Sequence, residues 1–236
     1  EVSYDWFASV IDNENHPMHK SIKGVRKKAK TTNFASEYGA MAPKMAETLM
    51  VPEEEAQSYL DAKHGTFWRA EEWKKEEIIP FAKRHGYTLT RLGARRHLSR
   101  ALASNEWWER SKAERQGVNF TIQGSCAEMT KLAMGRIWKA KLLVRYDATF
   151  IGVVHDELVF SCGREDVIAF TKELHALMTL PYADMHIPIE SSIGIGHDFL
   201  NLIEIGEVAS DEKIQGALDK LFPQHAANET EVRRAA

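Results

Sequence analysis

The chain has two cysteines among 236 residues, Cys126 and Cys162, and no CxxC pair. A disulfide framework is therefore excluded as the source of stability, and no grouping of Cys and His has the spacing of a zinc site. Both thiols read as reduced, buried small residues. Apolar runs are short: none approaches the roughly 20 residues of a membrane span. The opening EVSYDWFASV lacks a signal-peptide layout and begins with Glu1 rather than Met, so the expectation is a piece of a longer or processed protein, working in the cytoplasm without a membrane partner. No internal repeat or low-complexity stretch is visible. Hydrophobic residues at 44% and charged residues at 28% fit a globular domain with a sizeable core.

A net charge of -3 gives no overall pull toward polyanions, but the distribution does. Lys20, Lys23, Arg26, Lys27, Lys28 and Lys30 form one basic cluster; Arg91, Arg95, Arg96 and Arg100 form another. Acidic residues gather at 53–55, at 71–77 and in the C-terminal tail. Segregated cations can bind a polyanion locally in a chain that is nearly neutral overall.

The most informative stretch is VVHDELVF, from Val153 to Phe160. Apolar residues on either side of a short polar pivot read as strand, tight turn and strand, with buried arms and with His155, Asp156 and Glu157 at the tip. Adjacent carboxylates repel unless a cation lies beside them, and oxygen ligands in that arrangement suit Mg²⁺ and phosphate chemistry. An ordinary acidic hairpin turn is the plain alternative.

A helical pattern runs from Lys20 to about Tyr38 and stops at Gly39, a suitable C-cap. Within it Arg26, Lys30, Phe34 and Tyr38 recur every four residues and make one slanting stripe. Two cations followed by two aromatic faces match a nucleoside triphosphate lying along the helix. The alternative is a solvated basic face, with Phe34 and Tyr38 in the core. A second helix is expected over Thr121–Ala140, with Ile122, Cys126, Met129, Ala133, Ile137 and Trp138 on its packed face. Arg115, Asn119 and Gln123 fall at spacings of four on a polar stripe, where such side chains can reach minor-groove acceptors common to all base pairs; helix capping or a satisfied core amide is the alternative for Asn119 and Gln123. Pro52 with the acids at 53–55 marks a helix start, 66–84 reads as helical, and Trp68, Trp73, Trp107 and Trp108 read as packing residues, with base stacking as the alternative. Residues 163–180 form an amphipathic pattern through Val167, Phe170, Leu174 and Leu177. Ile214, Leu218, Leu221 and Phe222 make an apolar helix face after the cap Ser210.

Several of these blocks together resemble the family A DNA polymerases, the group of bacterial DNA polymerase I and phage replicases. RKKAKTTNFASEYG is similar to the nucleotide-binding helix of the fingers in that family, and VVHDELVF to its palm hairpin. NFTIQGSCAEMTKLAM (119–134), HGYTLTRLGARRHL (85–98) and IPIESSIGIGHDF (187–199) resemble, in order, the helix after the fingers, the return to the palm and the last palm strand. The resemblance implies an α+β fold, with a mostly helical fingers subdomain and part of an antiparallel palm sheet with flanking helices. The implied divisions are 1–19 as the junction, 20–100 as fingers, 101–206 as the C-terminal part of the palm, and 207–236 as a tail.

By resemblance the activity is DNA-directed DNA polymerisation: a primer 3′-hydroxyl attacks the α-phosphate of a dNTP with two Mg²⁺ ions assisting, and pyrophosphate leaves. Arg26 and Lys30 would hold the triphosphate, Phe34 the sugar and base, and Tyr38 the templating base. Arg115, Asn119, Gln123 and His155 would touch primer–template DNA, Asp156 would bind metal, and Glu157 would support it. Nothing before Arg26 matches the family's other metal carboxylate, and no thumb or proofreading segment is present. The expectation is therefore a second polypeptide or segment carrying the thumb, the first palm strand and one ligand set, with the tail helping to dock it. Val153, Trp108 and Gly117 depart from cellular members and point to a phage lineage in a bacterial host. The competing reading is a non-catalytic nucleic-acid-binding module derived from a polymerase. An RNA-synthesising relative fits less well, because the His-Asp-Glu hairpin and the Gln-Gly block favour DNA polymerase.

Overall fold

The computed structural model describes residues 3–223. The chain divides after Gly124 into two compact units. It is α+β, mostly helical with small antiparallel two-stranded ribbons, as the sequence implied.

In the first unit α1 (Tyr4–Asp12) leads to the long α2 (His19–Glu37). Buried His19 ties the two, its Nδ1 lying 3.0 Å from the Val10 carbonyl oxygen. The helix α2 ends where Gly39 adopts φ +85°, a left-handed conformation that costs glycine nothing. The next helices, α3 (Ala42–Leu49) and α4 (Glu53–Thr66), close a small core of Ala42, Met45, Ala56 and Leu60. Pro52 caps α4, and three glutamates fill its first turn, where the helix dipole favours them. After α5 (Trp68–Trp73) comes a π turn (Lys74–Ile78), then α6 (Ile79–His85) and a hairpin of β1 (Tyr87–Leu89) with β2 (Arg95–His97). A short α7 (Ser99–Leu102) and α8 (Trp107–Asn119) complete the unit, and a second π turn (Phe120–Gly124) ends it.

Gly117 lets α8 lie against the hairpin. A Cβ there would stand 3.0 Å from Thr88 Cγ2 and 3.1 Å from Leu98 Cδ1, both in buried residues. That packing gives Gly117 a physical reason independent of lineage.

The second unit starts with α9 (Ser125–Lys139) and α10 (Leu142–Arg145). The ribbon β3 (Thr149–Val154) with β4 (Glu157–Ser161) follows, then α11 (Val167–Met178). A last ribbon of β5 (Ile193–Gly196) with β6 (Leu202–Gly206) and helix α12 (Asp211–Leu221) close it. Its core is Ile137, Leu142 and Phe170, joined by Leu158, Phe160, Leu174 and Leu177. The phenyl rings of Phe150, Phe160 and Phe170 meet in series, the first pair tilted and the second edge-to-face, at 5.4 and 5.7 Å between neighbouring centroids.

Several expectations fail here, each for a local reason. The arms of the β3–β4 hairpin are not both buried. Leu158 and Phe160 meet the core, while Ile151, Val153 and Val154 are 64%, 45% and 41% exposed, although Val153 pairs directly with Leu158. No third strand flanks this ribbon among the described residues, so both of its outer edges are unpaired. The helix expected over Thr121–Ala140 opens as a π turn instead. Its extra residue breaks the 3.6-residue phase, and Ile122 and Cys126 lie exposed. Trp138 is also exposed, one position round from buried Ile137. Trp68, Trp107 and Trp108 are exposed rather than packed, and only Trp73 is half-buried.

Cys162 fits its reading: it is half-buried in the second core, where burial, then Asp166 and Glu165, push its thiol up. The face of α12 is used internally. Ile214, Ala217 and Leu218 are buried against β5, β6 and α11, so it is not available to dock a partner; Ser210 does cap the helix, its Oγ accepting from the Lys213 amide at 3.3 Å. The rest of the expected tail, 224–236, lies outside the described residues.

Candidate nucleotide and metal-binding groups

Helix α2 carries Arg26, Lys30 and Phe34, Tyr38 is its C-cap, and all four residues of the cation–aromatic stripe are exposed. Phe34 is 55% and Tyr38 63% exposed, which removes the core alternative for both rings. The Lys30 ammonium lies 5.8 Å from the Phe34 ring centroid, so the second cation and the first aromatic meet on one face. Neither Arg26 nor Lys30 has an acidic partner among the described residues, and both heads stay free for an anion. Lys28, on another side of the helix, pairs with Glu55 at 3.4 Å and ties α2 to α4.

What holds the stripe in place is a group the sequence reading missed. At the C-terminal end of α2, Glu37 accepts from Lys63 at 2.6 Å and from Lys74 at 2.6 Å, and Glu71 accepts from the same two lysines at 3.1 and 3.0 Å. Alternating charges close a square joining α2, α4, α5 and the π turn after α5. Desolvation works against ionising either glutamate, but the lysine hydrogen bonds outweigh it and hold both below the usual carboxylate range. Burial likewise opposes the Lys63 charge, and its two carboxylate partners raise it overall. The acidic run 71–77 was visible in the sequence; that Glu37 and Lys63 meet it was not.

Arg115, Asn119 and Gln123 lie at the end of α8 and in the π turn after it. The Asn119 amide donates to Gln123 Oε1 at 3.0 Å, and Arg115 donates to Ser111 Oγ at 2.6 Å. Arg115 also crosses Gly39: a Cβ on that glycine would stand 2.9 Å from Arg115 Cδ. The fold thus brings Arg115 beside the residue that follows Tyr38, although the two are far apart in sequence.

His155, Asp156 and Glu157 belong to the second unit. The ribbon pairs Val154 with Glu157, which leaves His155 and Asp156 as a two-residue turn. His155 takes φ +57°, a conformation non-glycine residues adopt rarely and mostly in turns. A register shift between Phe150 and Gly152 bends the strand leading to the tip. All three side chains are exposed, and none makes a hydrogen bond or ion pair among the described residues. Two neighbouring free carboxylates can offer oxygen atoms to a hard cation such as Mg²⁺. Among the described residues no three His, Cys, Asp or Glu side chains group closely enough to hold an ion.

No helix among the described residues is long and apolar enough to cross a membrane. Residues 5–201 match the family described as DNA polymerase family A. The chain is 32% identical over 180 residues to the thermostable DNA polymerase I of Thermus aquaticus, covering 76% of this chain and 21% of that protein. It is 31% identical over 186 residues to DNA polymerase I of Mycobacterium tuberculosis, covering 78% and 20%. It spans about a fifth of the length of these curated relatives. Among solved structures it is similar to the POL domain of Pol1 from M. smegmatis, in complex with DNA primer-template and dNTP, with a TM-score of 0.64, 27% identity, and coverage of 80% of this chain and 33% of that one. A match over most of the chain, with the cation–aromatic helix and the His-Asp-Glu hairpin both inside it, means that this protein belongs to DNA polymerase family A.

Proposed function

We propose that this chain is the nucleotide-binding and one metal-facing part of a DNA-directed DNA polymerase, and that its reaction is template-directed nucleotidyl transfer. One observation carries the reading: in a family A chain, Arg26, Lys30 and Phe34 stand exposed on one helix with Tyr38 exposed at its C-cap, and Arg26 and Lys30 have no acidic partner among the described residues. In this reading residues 20–100 are the fingers, 101–206 the C-terminal part of the palm, 1–19 the junction and 207–236 the tail. Arg26 and Lys30 hold the triphosphate of a dNTP, so that negative charge moving onto the leaving pyrophosphate stays neutralised. Phe34 packs on the sugar and base, and Tyr38 stands beside the templating base. Arg115, Asn119 and Gln123 hold primer–template DNA, and His155 lies at the primer terminus.

Asp156, with Glu157 beside it, offers oxygen ligands to Mg²⁺, which when bound lowers the cost of charge at the reacting phosphate. Because these two residues make only one side of a site, the remaining ligands come from another segment or polypeptide, one that also supplies the thumb and first palm strand. The exposed Ile151, Val153 and Val154 lie on β3, whose outer edge has no paired strand among the described residues, and such a strand would pair there. The protein would act in the cytoplasm of a bacterial cell; Val153 and Trp108 are the departures that suggest a phage lineage.

The test is primer extension beside primer–template binding, with the chain alone and mixed with an upstream polymerase segment carrying the missing carboxylate strand. Extension should need both parts, and Asp156→Ala should abolish it while leaving DNA affinity within about threefold, because a metal ligand acts on the transition state rather than on duplex binding. DNA binding without extension under every combination would instead favour a non-catalytic module. Full activity of the chain alone would remove the requirement for a second part.

A further inference from the structure

Helix α8 begins with two exposed tryptophans, Trp107 at 70% and Trp108 at 52% exposure. Isolated exposed apolar residues are common and by themselves mean little. What separates these two is direction. At about 100° per residue, Trp108, Lys112, Arg115 and Asn119 fall within an arc of about 60° on α8, while Trp107 points about 100° away from Trp108. Lys112 and Arg115 are exposed, and Lys112 has no acidic partner among the described residues. Neither Glu109 nor Glu114 shares the arc. One helix face therefore presents an indole, two cations and an amide in a row, with the cations following the indole by one and two turns.

We infer that Trp108 is a stacking platform for an unpaired base of single-stranded nucleic acid, continuing the α8 stripe beyond the duplex contacts, with Lys112 neutralising the adjacent phosphate. This rests on the functional reading in which Arg115 and Asn119 face the primer–template. The chemistry favours this occupant: an indole face stacks on any base without reading sequence, and cations one and two turns further along the same face suit a phosphodiester chain. A protein partner would need an acidic segment with an apolar anchor, and nothing on this face selects one.

The experiment measures anisotropy of two labelled hairpin DNAs with the 236-residue chain at one fixed salt concentration. One hairpin carries a 5′ overhang of unpaired template; the other is blunt. Trp108→Ala should weaken binding of the overhang hairpin on the order of tenfold and leave the blunt one unchanged. Trp108→Phe, which keeps a stacking ring, should recover most of the loss, and Trp107→Ala should change neither. Lys112→Ala should weaken the overhang hairpin and flatten its salt dependence. Equal loss on both DNAs, no loss on either, or the same loss from Trp107→Ala overturns the inference while leaving the polymerase reading intact. If the wild-type chain, with its helical circular dichroism preserved, binds neither DNA, the functional reading falls and this inference with it.

Discussion

Lys63→Met should loosen the platform beneath the nucleotide helix, and its size follows from the charged square. The Lys63 side chain is 8% exposed and serves both Glu37 and Glu71. Methionine keeps most of the apolar stem, so what is lost is charge and hydrogen bonding rather than packing. Removing one partner of a buried ion pair costs about 3–5 kcal/mol. Here Lys74 still bridges both glutamates and Glu37 is 38% exposed, so screening reduces the cost to about 2 kcal/mol. At roughly 4 °C per kcal/mol for a unit of this size, the first unit should melt about 8 °C lower at pH 7.

The pH dependence gives a second reading of the same square. Glu37 and Glu71 have lowered pKa values in the folded chain, so their contribution is complete above the ordinary carboxylate range near 4.5 and is lost as pH falls through the lower folded values. Lys63 is raised, so its contribution persists below the usual lysine value and disappears only in strong alkali, outside this window. Between pH 6 and pH 3 the wild type should therefore lose more stability than Lys63→Met, whose glutamates are less depressed. The assay is urea denaturation at several pH values, followed by circular dichroism. A midpoint unchanged by Lys63→Met at pH 7, together with an identical acid slope, would refute the idea that the square anchors α2.

Three further outcomes follow from single residues. Arg26→Ala and Lys30→Ala should raise the dNTP concentration needed for extension far more than they weaken DNA binding, and Phe34→Tyr should increase incorporation of dideoxynucleotides, as the family resemblance implies. Unchanged dideoxynucleotide use would show that Phe34 is not in the register assigned to it. In the second unit the Tyr182 side chain is 1% exposed; burial, then the hydrogen bond its hydroxyl donates to Glu128 at 2.9 Å, push its pKa up to about 12. Ultraviolet titration of the wild type against Tyr182→Phe should lose one tyrosine transition near that value, and loss of one near 10 would contradict the buried pair.

The family and the α+β class were legible through the resemblance of several ordered blocks, and the long cation–aromatic helix through local spacing. Residues every four positions share a stripe on any helix, and a two-residue polar pivot between β-rich arms makes a turn wherever it occurs. Glycine at position 39 and serine at position 210 marked helix ends through their own backbone and side-chain chemistry. Local spacing could not say which side of an element meets a core. Val153 and Val154 stayed exposed while Ile214 and Leu218 were buried, because β5, β6 and α11 pack over α12 and no third strand flanks the β3–β4 ribbon among the described residues. Nor could it foresee the π turn at Phe120–Gly124, whose extra residue turned Ile122 and Cys126 outward. The square of Glu37, Lys63, Glu71 and Lys74, and the placement of Arg115 across Gly39, needed segments distant in the chain to meet. Tertiary packing decided those contacts because charge pairing and van der Waals fit depend on separation in space, which residue spacing fixes only within a single helix or hairpin.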